Sequence, residues 1–188
     1  MTVSRADWDS KVPWSKLAVG LPIRPERGEI AKVVAHAKGT YGWQYGDWVS
    51  HRAFGHKFHK GIDVVGWMDP RGKEHSLKKT LCLAPFDGLV EFVGSDEDEQ
   101  PSIVLRHSTR GETRFRISFF GDLSEVAVED GARVKRGDIV GRPGRTPSGR
   151  PFTHFGIGYR PIPGTQFRKE DYFVDPFRLF PGAKSAIK

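Results

Sequence analysis

The chain has 188 residues, 37% of them hydrophobic, which is enough to bury a core and suits one domain with elaborations better than two. Lys and Arg number 30 against 23 Asp and Glu, and the resulting +7 favours anionic partners, although no basic tract marks a specific nucleic-acid interface. One cysteine, Cys82, excludes an internal disulfide and any multi-cysteine zinc site; its neighbours Leu81 and Leu83 predict a buried thiol.

Residues 1–50 are rich in Trp, Pro and Gly and show no sustained periodicity, so they read as an irregular N-terminal arm packed on the domain. Within it Tyr41, Trp43 and Tyr45 offer aromatic faces that suit either a sugar or peptide ligand or the sealing of a core edge. The first residues lack the apolar segment of a secretory signal, and no later run is long enough to span a bilayer. A soluble chain with no membrane span is expected.

Residues 51–181 carry the main domain. LCLAPFDGLVEFVG, residues 81–94, reads as two strands joined by Pro85-Phe86-Asp87-Gly88, because Asp-Gly between apolar runs signals a hairpin. Residues 103–107, 113–121, 125–128, 138–141 and 152–159 continue a pattern of short strands separated by glycine-containing turns, so the fold class is mainly β. The alternation from Thr113 to Phe119 predicts a sheet with one wet and one dry face. Asp96–Glu99 reads as a solvated acidic turn, and residues 182–188 as a flexible tail.

His59 and Asp63 stand four residues apart in FHKGIDVVG. In a straight strand they would be about 13 Å apart at roughly 3.3 Å per residue, whereas zinc holds its ligands at about 2 Å. The chain must therefore bend if they are to share a metal. A helix would also bring them together, but Gly61 and the β-branched Val64 and Val65 argue against one; Gly61 can supply the bend. His154, on a distant strand beside small glycines, completes two imidazoles and one carboxylate. Catalytic zinc uses three-ligand sets of this kind, leaving a fourth position open. A surface ion pair is the bland alternative for His59 and Asp63 alone.

From about Leu21 to Phe180 the order of motifs resembles the lysostaphin-type, or LytM-like, zinc endopeptidases that cut peptide cross-links in bacterial peptidoglycan. HKGIDV resembles that family's His-x-x-x-Asp segment, LAPFDGLVEFV its Ala-Pro-x-x-Gly-x-Val hairpin, and VEDGARVKRGDIVGRPG its Gly-x-x-Val-x-x-Gly turn. PFTHFGI falls where the family has His-x-His-Phe-Glu, and Val174-Asp175-Pro176 resembles its C-terminal Asp-Pro segment. The resemblance implies a single domain with a mostly antiparallel, barrel-sandwich-hybrid-like sheet under a groove, and Zn2+ held by His59, Asp63 and His154. It implies peptidoglycan or its peptides as the ligand, a bacterial or phage source, and action at the cell envelope or in a virion.

Two departures emerge from the same resemblance. The family normally carries two further histidines that serve the reaction without binding the metal. Asp122 stands in place of one and Phe152 in place of the other. A carboxylate can accept a proton if it comes within about 3 Å of the donor. A phenyl ring can neither shuttle a proton nor donate to an oxyanion, and such a donor is typically worth about 2.7–4 kcal/mol. One reading is a zinc-binding homologue with degenerate catalysis that grips wall peptides or regulates a partner hydrolase or virion protein. The other is a working endopeptidase with Asp122 as general base. A lipoyl-like or biotinyl-like carrier lacks the hairpin lysine and leaves the three ligands without a role.

His107, Arg116 and Arg150 are further candidates for the groove, since arginine stays cationic and carries five donors. His36, His51, His56 and His75 are set aside as ordinary polar residues. The excursion from Trp67 to Thr80 is longer than the resembling family's usual link, which suits it to reshaping the groove or touching a partner.

Overall fold

A computed structural model describes residues 20–36, 41–44, 47–51, 58–59, 61–95, 100–107, 115–160 and 172–174; at 36, 41–44, 47–51, 58–59, 115, 159–160 and 172–174 only the backbone is described. The strands are β1 (Ile23–Pro25), β2 (Lys32–His36), β3 (Tyr41–Gln44), β4 (Asp47–His51), β5 (Phe58–His59), β6 (Ile62–Met68), β7 (Glu74–Ser76) and β8 (Thr80–Leu83). They continue with β9 (Gly88–Ser95), β10 (Pro101–His107), β11 (Phe115–Gly121), β12 (Leu123–Val126), β13 (Arg133–Val134), β14 (Ile139–Arg145), β15 (Pro151–Arg160) and β16 (Tyr172–Val174). Every pairing among the described residues is antiparallel, and the fold is mainly β as expected.

The main sheet runs β1-β8-β14-β15-β11-β10-β9-β13, with β6 joined to β15 and followed by β2 and β7; β3, β4 and β5 form a small separate sheet. The stretch expected to be irregular thus contributes four short strands, two of which enter the main sheet. Val33 and Ala35 of β2 alternate into the core, which makes even a five-residue run worth pairing.

β15 is the hub. It pairs with β14 at Pro151 and Phe152, with β6 from Thr153 to Phe155, with β16 from Ile157 to Tyr159, and with β11 along its length from His154 to Arg160. Its core face carries Phe155 and Ile157, which join Ile62, Val64, Phe120, Ile103 and Leu105 in the main cluster. Phe120 and Phe155 sit with ring centroids 4.9 Å apart. Burying side chains of this size stabilises by roughly 1.5–3 kcal/mol each.

Three expectations need correction. The sheet is not wet on one face at β11: Ile117 and Phe119 join Val104 and Phe92 in a second apolar cluster, while Arg116 and Ser118 on the other face are also buried. Both faces are covered, so alternation of polarity here does not mean exposure. Nor do the two strands around Pro85–Gly88 form a hairpin. β8 pairs with β1 and β14, and β9 with β10 and β13. The intervening turn is held instead by the 135–138 loop: Arg136 N–H donates to the Asp87 carboxylate (2.8 Å), and Gly137 N–H to the Ala84 carbonyl (2.8 Å). These bonds send β8 and β9 to different neighbours. The strand expected at 125–128 lies at Leu123–Val126, a shift set by its register on β14.

The 67–80 excursion is ordered. Met68 to Glu74 closes a β6–β7 hairpin in which the Asp69 carboxylate accepts the Arg71 and Lys73 N–H groups and lies 3.1 Å from His75 Nε2. The bond to His75 is the largest influence holding Asp69 below the usual carboxylate range. His75 also stacks on Trp67 at 4.1 Å. Cys82 is fully buried, as expected, and burial pushes its thiol up to about 12. Among the described residues no helix is long and apolar enough to cross a membrane. The acidic turn at 96–99, Tyr45 and the tail at 182–188 lie outside the described residues.

Candidate metal centre

The register between β6 and β15 puts Asp63 opposite His154. Opposite residues of an antiparallel pair share a face, and the side chains meet: Nδ1 of His154 lies 3.2 Å from Oδ1 of Asp63. The histidine is buried, with 10% of its side chain exposed, while the aspartate is half-buried at 30%. Thr153, the preceding residue, is buried and donates its hydroxyl to the Gly121 carbonyl (2.9 Å), which fixes β15 against β11 at this level. Phe119 packs beside the imidazole, with ring centroids 5.4 Å apart.

Gly61 explains the closeness of the approach. A Cβ there would stand 2.5 Å from His154 Nε2 and would also strike the Phe155 carbonyl oxygen, so no other residue fits without movement. The glycine thus supplies room for the imidazole. The chain does bend at Gly61. His59 lies just before, on β5, whose partner is β4 in the small sheet, with Ser50 opposite His59. His59 and Asp63 therefore occupy separate strands rather than one straight run. The position of the His59 side chain lies outside the described residues.

Phe152 stands two residues before His154 on β15, half-buried and opposite Gly144 of β14. Asp122 follows Gly121, the residue that β11 places opposite His154 on its other side. It is half-buried, with a left-handed backbone (φ 55°) that aspartate tolerates better than most residues. Its carbonyl accepts the Gly144 N–H at 2.8 Å. On the far side of β6, His36 of β2 is opposite Asp63. Local sequence holds no signal for that placement, because it arises from strand register.

The remaining groove candidates are dispersed. His107 lies on the core side of β10: it is 5% exposed, Nδ1 is 3.0 Å from the Asp87 carbonyl, and Nε2 is 2.8 Å from the Ser118 hydroxyl. A carbonyl only accepts, so Nδ1 carries the proton and the bare Nε2 accepts from Ser118. Burial, and then the Arg116 charge, pull its pKa down to about 4 against a favourable bond to Asp87. Arg116 is buried near it, at 3% exposure. Arg150 is exposed in the β14–β15 turn, where its N–H donates to Thr146 Oγ1. Tyr41 and Trp43 lie on β3, with side chains outside the described residues.

Asp63 and His154 fit a zinc ion in both donor type and spacing. Two donors about 2.0–2.1 Å from a tetrahedral zinc lie roughly 3.3 Å apart, close to the 3.2 Å separating these atoms. Among the described residues no group of three or more potential ligands comes together. A third ligand for such an ion would come from a side chain beyond them.

The profile of peptidase family M23 matches residues 57–164, more than half of the chain. This chain belongs to peptidase family M23. The matched segment of the M23 domain spans His59, Asp63, Asp122, Phe152 and His154. No curated protein sequence matches the chain. Among solved structures, a chain of the SpoIIIAH and SpoIIQ complex is similar over 86% of this chain and 99% of its own, at 18% identity and TM-score 0.50. The catalytic domain of lysostaphin from Staphylococcus simulans shares 21% identity over 74% of this chain and 90% of its own, with TM-score 0.46. The catalytic domain of a mutant of the prophage-encoded M23 protein EnpA from Enterococcus faecalis shares 21% identity over 81% and 93%, also at 0.46. At such identities the likeness concerns the fold.

Proposed function

We propose that this M23 domain holds Zn2+ through His59, Asp63 and His154 and acts mainly by binding, either gripping peptidoglycan peptides or docking on a partner hydrolase or virion protein. The observation that carries this reading is the Asp63–His154 pair, 3.2 Å apart on facing strands, with Phe152 on the same face of β15. When bound, zinc supplies Lewis-acid polarisation and acidifies water. The chain's own residues decide whether that chemistry is used. Asp63 and His154 orient each other, Gly61 admits the imidazole, and Phe152 contributes only apolar surface where a proton-handling group is needed. Loss of one oxyanion donor costs roughly a hundred- to thousandfold in rate. One of the similar structures is of a protein–protein complex, in keeping with a binding role.

Asp122 supports a second reading, an active endopeptidase with a carboxylate base, because it directly follows the residue opposite His154. The two are separated by measuring release of new amines from purified peptidoglycan. The binding role predicts release near background, with zinc still bound stoichiometrically and lost in His154→Ala. Turnover abolished by His59→Ala and by Asp122→Asn would establish the carboxylate mechanism in its place.

A further inference from the structure

The turn between β7 and β8 meets β14 and the start of β15 around a pocket of about 160 Å³ that neither Asp63 nor His154 lines. Lys78 and Lys79 of the turn and Arg142 and Arg145 of β14 bring four cationic side chains to its wall, and among the described residues no carboxylate lines it. Glu26 and Glu125 hold Arg142 from outside the lining, at 2.9 and 3.3 Å. Arg145 gives one of its five donors to the Gly149 carbonyl (2.9 Å). Among the described residues no carboxylate pairs with Lys78, Lys79 or Arg145. Lys79 also stands in the left-handed backbone region (φ 59°), in a turn closed by the Thr80 N–H on the Leu77 carbonyl (3.1 Å). Glycine takes that conformation freely, whereas a Cβ there crowds the following carbonyl. The backbone favours glycine at this position, and the charge of the pocket favours lysine. Thr80, which also lines the pocket, is 2% exposed, and among the described residues its Oγ1 has no hydrogen-bond partner, which is uncommon for a buried hydroxyl.

We propose that this pocket is a binding site for a phosphate group. Sites that enclose a whole small molecule measure roughly 300–1,000 Å³. At about 160 Å³ this one suits a single charged group. Its cations come from two elements, the β7–β8 turn and β14. That arrangement fits the several oxygens of a tetrahedral phosphate better than a planar carboxylate, whose two oxygens a single arginine fork satisfies. The surplus of +7 over the whole chain acts in the same direction by drawing anions to the surface. Two sources carry this chemistry, a free phosphate ion and the phosphodiester links of an anionic wall polymer. The site needs no metal and stands apart from the zinc reading.

The test titrates the full chain by calorimetry with inorganic phosphate and, separately, with a glycerol phosphodiester oligomer, at about 0.15 M salt so that diffuse attraction is screened. The variants are Lys79→Gly, Lys79→Asn and Arg145→Gln. Arg133→Gln, an exposed position on β13 outside the pocket, controls for net charge. The wild type should bind saturably. Each Lys79 variant and Arg145→Gln should weaken binding by about 10- to 100-fold, the loss expected for one charge-assisted hydrogen bond, and Arg133→Gln should leave it unchanged. Glycine and asparagine both accept the left-handed turn, so the Lys79 variants should hold the wild-type urea midpoint and their lost affinity reports the missing ammonium. Tighter binding of the oligomer than of inorganic phosphate assigns the pocket to a polymer link, and the reverse order assigns it to the free ion. The proposal is overturned if the wild type binds neither probe saturably, or if the Lys79 and Arg145 variants bind as the wild type does. Equal weakening in Arg133→Gln overturns it too, because the attraction would then belong to the whole surface.

Discussion

His154 and His107 occupy strands of the same sheet, and each is seated against a glycine, yet they meet different partners. A Cβ on Gly61 would strike His154 Nε2 at 2.5 Å, and one on Gly88 would strike His107 Nδ1 at 2.6 Å. His107 faces the core with both nitrogens engaged by Asp87 and Ser118, and burial keeps it neutral. His154 is buried nearly as deeply but on the opposite face, with the half-buried Asp63 carboxylate at Nδ1. Residue type is identical and local support nearly so. The face of the sheet decides which partners each histidine meets, a carbonyl and a hydroxyl for His107 and a carboxylate for His154.

Metal binding should separate the two histidines most decisively. Asp63→Ala or His154→Ala should abolish stoichiometric zinc uptake, whereas a neutral replacement at His107 should leave it intact, as measured by elemental analysis of the purified protein. Zinc retained in the first pair, or lost in the second, would dissolve the distinction.

Acid should expose the His107 side. Its folded pKa of about 4 lies below the ordinary value of 6.5. Between those values the unfolded chain binds the extra proton, so the stabilisation is complete above pH 6.5 and is lost as pH falls through about 4. The loss should be on the order of 3 kcal/mol, read from urea midpoints at about pH 7 and about pH 4.5, and His107→Gln should flatten that slope.

The glycines beneath the two rings offer a finer probe. Gly61→Ala and Gly88→Ala should each cost about 1–3 kcal/mol, the usual penalty for overpacking. Only Gly61→Ala should also weaken zinc binding, and equal effects on the metal would count against the assignment of the two faces. At the small end, Arg142→Ala should leave the urea midpoint nearly where it was. Its partners Glu26 (2.9 Å) and Glu125 (3.3 Å) are exposed with it, and solvent screens such pairs.

Much of the fold was legible in the chain. PFTHFGIGY became β15 and TRFRISFFG became β11, because β-branched and aromatic residues at period two fit a pleated surface regardless of context. The need for a bend between His59 and Asp63 came from strand geometry alone. What failed to show was pairing. LAPFDGLVEFV carries a hairpin signal, but Asp87 is claimed by Arg136, from a loop far along the chain, and the two strands part company. The role of Gly61 was legible as necessity but not as cause, since its neighbour His154 is distant in sequence. The alignment of His36 with Asp63 depends on a bulge in β2–β6, and register of that kind is set by the whole sheet.

The burial of Cys82 turns the lone thiol into a built-in gauge. Wedged where β8 meets β1 and β14, and with its ionisation suppressed, it can react with iodoacetamide only when those strands separate. The alkylation rate thus counts how often the sheet opens, and a slower rate on adding zinc would show that zinc binding makes that opening rarer.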